Sequence, residues 1–207
     1  MHWFVTGTGT DVGKTYVTAL LLTALKRAGR RAAGFKPFCC GDRGDAVRLQ
    51  EAGAAGLTLD QINPVWLKVP AAPCVAALME NRRIDLAAVR SAFDVLAAGH
   101  ETVLVEGAGG WEVPLAPGVT VADFAGTLAL PVIVIADNKL GALNHTLLTI
   151  RNIETRGLKC AGIILNHVCD VRDAASISNR ATLEAFTSAP VLAEVMHGET
   201  EMDWPLG

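Results

Sequence analysis

The run Gly7-Thr8-Gly9-Thr10-Asp11-Val12-Gly13-Lys14-Thr15 carries the clearest chemistry in this chain. It follows a short apolar stretch, Trp3-Phe4-Val5, and leads into an apolar-periodic helical pattern. A strand, a glycine-rich turn ending Gly-Lys-Thr and a helix together make a phosphate cradle. Backbone N–H groups point inward, the helix N-terminus adds positive potential, and the lysine reaches terminal phosphates. The threonine hydroxyl is suited to ligating Mg²⁺. This P-loop has one oddity, because five residues separate Gly7 from Gly13 where the usual pattern has four. Asp11 inside the loop is either a turn residue or a carboxylate that needs a cation or amine beside it.

Other candidates stand at the ends of apolar runs. Lys36 closes one such run and precedes Pro37, which stops the ladder and fixes the turn. An ammonium held there can stabilise transferring phosphoryl oxygens or an anionic substrate. Glu106 closes another run and meets Gly107-Ala108-Gly109-Gly110, glycines that let backbone approach a ligand. A carboxylate there, paired with a P-loop, is an expected Mg²⁺ ligand. Asp45 is compatible with a second carboxylate ligand or with an ordinary N-cap. The helix beginning near Gly141 offers free N–H groups to an anion. Asn166 has the donor and acceptor that an adenine edge requires, although a strand-end asparagine can equally satisfy backbone.

These residues need a scaffold that gathers them. Strands are expected over 2–6, 32–36, 102–106, 131–136 and 160–165. Runs such as Val103-Leu104-Val105 and Ile133-Val134-Ile135 are continuous rather than alternating, the mark of a parallel sheet covered on both faces. Helices are expected over 15–28, 45–54, 72–80, 86–99, 142–157 and 174–188, and segment 56–71, with Pro64 and Pro70, reads as loop. Strand–helix alternation predicts an α/β fold with a doubly wound, mostly parallel sheet and helices on both faces, of P-loop NTPase type. Ligands in such sheets bind beyond the carboxyl ends of the strands, where all of these polar groups fall.

Composition narrows the field. The chain has 207 residues, enough for one well-cored domain, and a net charge of −3. No nucleic-acid or membrane-surface partner is implied, and no apolar run approaches the roughly 18 residues that span a bilayer. No secretory signal is visible. Five cysteines without a CxxC fit free thiols in a reducing, cytoplasmic setting. The glycines do not form GxGxxG, and no acid stands where a dinucleotide ribose would need one, which argues against a dinucleotide-binding reading.

Together the motifs resemble those of the dethiobiotin synthetase family, from Val5 to about Glu194. The matching pieces are Val5 to Thr15, Lys36-Pro37, Glu106 to Trp111, Lys139-Leu140-Gly141-Ala142-Leu143-Asn144-His145, and Gly162 to Asn166. The expanded Gly7–Gly13 spacing is itself characteristic of that family. The resemblance implies one domain over 1–207 that carboxylates 7,8-diaminononanoate with CO₂ and ATP and closes a ureido ring. It implies Lys36 as the catalytic lysine and Thr15, Asp45 and Glu106 as holders of Mg²⁺. ATP would lie along Asp11, Val12, Gly13, Lys14, Thr15 and Tyr16, with Asp45, Glu106, Gly107, Ala108, Gly109, Asn166 and His167; Val195, Met196 and His197 would lie near the base. Thr10, Asp11 and Cys40 would lie by the diamine, and Gly141, Ala142 and Asn144 of the partner in a homodimer would receive its carboxylate. The chain departs from the family at Cys40, commonly serine, and at Met196, usually proline. The usual final helix is also shortened or absent before Gly207.

Three rivals share the P-loop. Amidoligases usually add a glutamine-hydrolysing domain, for which 207 residues leave no room. Partner-regulated ATPase switches typically carry an extra lysine early in the loop, where this chain has Thr8. A nucleotide-binding module without catalysis is the third.

Overall fold

The computed structural model describes residues 1–206. In chain order the elements are β1 (Trp3–Gly7), α1 (Lys14–Arg27), β2 (Ala32–Phe35), β3 (Phe38–Cys40), α2 (Gly44–Ala52), α3 (Leu59–Ile62), β4 (Val65–Leu67), α4 (Pro73–Met79) and α5 (Leu86–Gly99). There follow β5 (Thr102–Gly110), β6 (Pro114–Ala116), β7 (Val119–Thr120), α6 (Val121–Leu128), β8 (Val132–Asp137), α7 (Ala142–Thr155), β9 (Cys160–Asn166), α8 (Ala174–Phe186) and β10 (Val191–Val195). Six strands form the central sheet in the order β10-β9-β8-β1-β5-β2, and every pairing in it is parallel. A parallel pair, β3–β4, and an antiparallel pair, β6–β7, stand apart from it.

Period-2 alternation sorts the strand side chains onto two faces. Phe4, Val103, Val105, Val132 and Val134 join Phe93 of α5, Phe124 of α6, Ile150 of α7 and Leu183 of α8 in one core. Trp3, Val5, Leu104, Ile133 and Ile135 join Leu21 and Leu25 of α1 and Leu49 of α2 in the other. Both faces are covered, so the strands read as unbroken apolar runs. The strand order reverses at β1, which lies between β5 and β8. At such a switch point the loops beyond the strand ends diverge and leave a crevice for ligand.

The expected doubly wound sheet is present, with local corrections. Segment 56–71 is not simply loop: Thr58 and Gln61 form a capping box that starts α3, and β4 pairs with β3. A sixth strand, β10, extends the sheet edge. Glu106 and its glycines lie inside β5 rather than after it, with an irregular register between Val5↔Glu106 and Gly7↔Gly110. The N-cap of α2 is Arg43, and Asp45 lies in the helix's first turn. Among the described residues no helix is long and apolar enough to cross a membrane.

Candidate active site

The loop between β1 and α1 is shaped by one left-handed glycine. Gly13 sits at φ 84° as the N-cap of α1, a conformation that costs other residues roughly 1–2 kcal/mol. A Cβ at Gly13 would lie 2.1 Å from Asn166 Nδ2. Asn166, at the end of β9, donates Nδ2 to the Val12 carbonyl at 3.0 Å and so ties the loop to the sheet. Asn166 therefore has one donor engaged with backbone. Lys14, 7% exposed, folds back to donate to the Gly9 carbonyl at 2.9 Å. Burial first, and then the neighbouring Lys36, pull its pKa down to about 8, with Glu106, Asp45 and Asp11 opposing.

Two cations and two anions meet beyond the strand ends. Lys36, 4% exposed, lies just past β2 and places Nζ 2.5 Å from Glu106 Oε1 and 2.7 Å from Asp45 Oδ2. The Gly107 carbonyl is 3.5 Å away. Burial alone would lower the Lys36 pKa, but the Glu106 and Asp45 carboxylates more than reverse this and hold it above the ordinary lysine value. Burial likewise opposes ionisation of Asp45, and Lys36 overrides it, so the Asp45 carboxyl titrates below its usual value. Thr15 Oγ1 donates to the same Glu106 Oε1 at 2.6 Å. Glu106 is fully buried, and its Oε2 has no hydrogen-bond partner among the described residues. An orphaned buried carboxylate oxygen, a threonine hydroxyl and a second carboxylate are hard oxygen donors that fit Mg²⁺, which usually takes only one or two carboxylates beside substrate phosphates and water.

Two cavities flank this cluster. One, of about 470 Å³, has Thr10, Lys36, Cys40, Asp45, Ala108 and Gly109 in its wall. Burial, and next Glu80, push the Cys40 thiol up from its usual value while Lys36 opposes, so a neutral thiol faces this cavity. The other, of about 260 Å³, is lined by Gly13, Tyr16, Asn166, His167 and His197 among others. His167 is itself buried and held by Asn138 Nδ2 at 3.0 Å. Tyr16 donates its hydroxyl to the Glu199 carbonyl.

Most of the residues singled out in the sequence thus converge. Lys14, Thr15, Lys36, Asp45 and Glu106 form one cluster, with Thr10, Cys40, Gly107, Ala108 and Gly109 beside it. Val12, Gly13, Tyr16, Asn166 and His167 form the second group. Asp11 is exposed at φ 58° and lines neither cavity. Gly141, Ala142 and Asn144 open α7 and also line neither. The N-cap of α7 is Gly141, at φ 91°, and no side-chain hydrogen bond caps it. Sequence reasoning passed over Phe38, Val113 and the stretch Pro70–Pro73, which complete the larger cavity. The Thr58-x-x-Gln61 spacing was the one local signal that segment 56–71 has structure.

Comparisons with known proteins speak to the family and the fold. The family profile described as an AAA domain matches residues 2–200. The chain is 51% identical over 202 residues to the ATP-dependent dethiobiotin synthetase BioD of Akkermansia muciniphila, covering 98% of this chain and 95% of that one. It is 41% identical over 206 residues to the synthetase of the same name from Aromatoleum aromaticum, covering 94% and 90%. Among solved structures, the septum site-determining protein MinD of Pyrococcus horikoshii, complexed with Mg-ADP, matches with a TM-score of 0.61 at 18% identity, covering 95% of this chain and 82% of that one. A ParA family ATPase from Chlorobium tepidum matches at 0.59 and 11% identity, covering 94% and 83%. The structural matches establish the fold alone, whereas near-complete coverage at 51% identity establishes descent: the chain belongs to the ATP-dependent dethiobiotin synthetase family.

Proposed function

We propose that this protein uses ATP and CO₂ to convert 7,8-diaminononanoate into dethiobiotin. The observation that carries the reading is the Lys36 ammonium, buried between Glu106 and Asp45 beside the phosphate loop and open to the larger cavity. In this reaction one amine of the substrate adds to CO₂ and becomes a carbamate. A carbamate oxygen attacks the γ-phosphorus of ATP, and ADP leaves with the bridging oxygen. The second amine then attacks the carbonyl carbon, closes the ureido ring and expels phosphate. The attacking and attacked groups are both anionic, so cationic screening is the main requirement. Lys14 and Lys36 supply it from opposite sides of the cluster. Thr15, Asp45 and Glu106 would hold Mg²⁺, which neutralises phosphate charge when bound. The larger cavity, with Thr10 and Cys40 in its wall, takes the diamine; the smaller one, with Tyr16, Asn166 and His167, takes the adenine.

The decisive assay is phosphate release with MgATP, bicarbonate and diaminononanoate, each omitted in turn. Release requires all three if the reading holds. Release that ignores the diamine would instead match the ATPase switches whose fold this chain shares. We further propose a homodimer in which Gly141, Ala142 and Asn144 of one copy receive the substrate carboxylate of the other. They stand outside the walls of both cavities, and the exposed Leu140 and Leu148 around them support this. Light scattering under assay conditions gives a dimer mass if the site is shared, and a fully active monomer would exclude it. The five unpaired cysteines suit a reducing, cytoplasmic compartment.

A further inference from the structure

Lys36 lies beyond Phe35, the last ladder residue of β2, so the central sheet does not fix its backbone. Segment 62–65 does. The Lys36 N–H donates to the Ile62 carbonyl at 2.9 Å, and Val65 N–H donates to the Pro37 carbonyl at 3.1 Å. Asn63, 1% exposed, donates Nδ2 to the Lys36 carbonyl at 2.8 Å and to the Val65 carbonyl at 3.0 Å. Its Oδ1 accepts from Arg43 Nε at 2.9 Å. The asparagine side chain therefore uses both donors and its acceptor, and one of those bonds falls on the backbone of Lys36 itself.

Arg43 carries the same restraint to the other half of the ion pair. Its Nη2 donates to the Asn63 carbonyl at 3.0 Å, the Leu59 carbonyl at 3.1 Å and Asp60 Oδ1 at 2.8 Å. The guanidinium also lies 5.5 Å from the Trp66 ring centroid. Arg43 is the N-cap residue of α2, two positions before Asp45, which meets Lys36 Nζ at 2.7 Å. One asparagine–arginine pair thus ties down both backbone segments that supply the Lys36–Asp45 contact. The nucleotide loop is held separately, through Asn166–Val12 and Lys14–Gly9.

Building on the catalytic role given to Lys36 above, we propose that Asn63 and Arg43 are positioning residues that set the Lys36–Asp45 geometry, and so govern turnover without governing affinity for metal-free ATP. The amide and guanidinium act through Lys36 and touch no reacting atom.

The test is a double-mutant cycle on the full chain. Asn63→Ala and Arg43→Lys are made singly and in a Lys36→Ala background, with kcat and the dissociation constant of metal-free ATP measured for each. Asn63→Ala lowers kcat roughly 10- to 100-fold, the scale of a misplaced catalytic group, and leaves affinity for metal-free ATP unchanged. In the Lys36→Ala background the same change costs nothing further, because the residue it acts through is gone. A loss that repeats in that background, or one that follows weakened binding of metal-free ATP, overturns the proposal. Arg43→Lys keeps the charge at a less buried position and carries the test if Asn63→Ala does not fold. The Lys36 ammonium resonance, identified by its absence from Lys36→Ala, gives a readout independent of turnover. It shifts or broadens in Arg43→Lys; an unchanged resonance sinks the proposal. Should wild type show no diamine-dependent turnover, the proposed reaction fails, while the resonance still decides the positioning role.

Discussion

Lys36→Ala is expected to lower diamine-dependent phosphate release by about 10²- to 10³-fold, the scale of losing a preorganised group that stabilises transition-state charge, while ATP still binds. The two lysines of the cluster differ in kind. Lys14 belongs to the phosphate loop and contacts that loop's own Gly9 carbonyl. Lys36 arrives from the other side, faces the larger cavity and is held by two carboxylates. Its loss therefore removes charge from the wall of the larger cavity and leaves the nucleotide loop intact. A second effect accompanies the first. Without the ammonium, the fully buried Glu106 keeps the Thr15 hydroxyl as its one hydrogen bond among the described residues. Removing one partner of a buried pair costs about 3 kcal/mol or more. A divalent cation supplies the missing charge, so Mg²⁺ raises the melting temperature of Lys36→Ala more than that of wild type, in which the ammonium already lies against both carboxylates. Turnover, ATP calorimetry and melts with and without Mg²⁺ separate these effects. Unchanged turnover would leave Lys36 a structural counter-ion.

Much of this arrangement was legible because its signals are local or follow from topology. Val132 and Val134 face one core while Ile133 and Ile135 face the other, and that double burial is why the run carries no polar alternation. The P-loop announces itself within nine residues, Gly7 to Thr15. The convergence of Lys36, Glu106 and Asn166 follows from parallel strands that all present their carboxyl ends at one edge. What escaped depends on partners distant in sequence. Strand β4 has three residues, too few for any period, and exists because β3 offers it a parallel edge. Asn63 looks like an ordinary turn residue before Pro64, and only the folded chain brings it to the Lys36 carbonyl. Asp45 could have been a cap or a ligand from its position alone. Arg43 at the N-cap and the 2.7 Å contact with Lys36 decide against the cap. In β10, Ala193 and Glu194 dilute an edge strand whose one neighbour is β9.

Glu106→Gln is expected to give the opposite response to Mg²⁺, and the contrast identifies what Glu106 does. The cluster holds Lys14 and Lys36 against Asp45 and Glu106, two charges of each sign. A glutamine leaves it with one excess positive charge. The amide oxygen can still accept from Thr15 and Lys36 in the place of Oε1. Its NH₂ then occupies the position of Oε2, which has no hydrogen-bond partner among the described residues. Lys36 keeps one carboxylate partner, Asp45, which is half-exposed. Loss of the buried Glu106 charge beside the buried Lys36 ammonium lowers the melting temperature by on the order of 10 °C. Mg²⁺ does not restore it, because the substitution removes a cation ligand and adds repulsion. For the same reason, metal-free ATP binds Glu106→Gln at least as tightly as wild type, since excess positive charge attracts the triphosphate. The strengthening of ATP binding by Mg²⁺ is lost, and turnover falls with it. If Mg²⁺ strengthened ATP binding equally in both proteins, Glu106 would be the buried counter-ion of Lys36 and no ligand of the metal. A Lys36→Ala protein rescued by Mg²⁺ beside a Glu106→Gln protein that is not would place the cation on the Glu106 and Asp45 carboxylates that now hold the Lys36 ammonium.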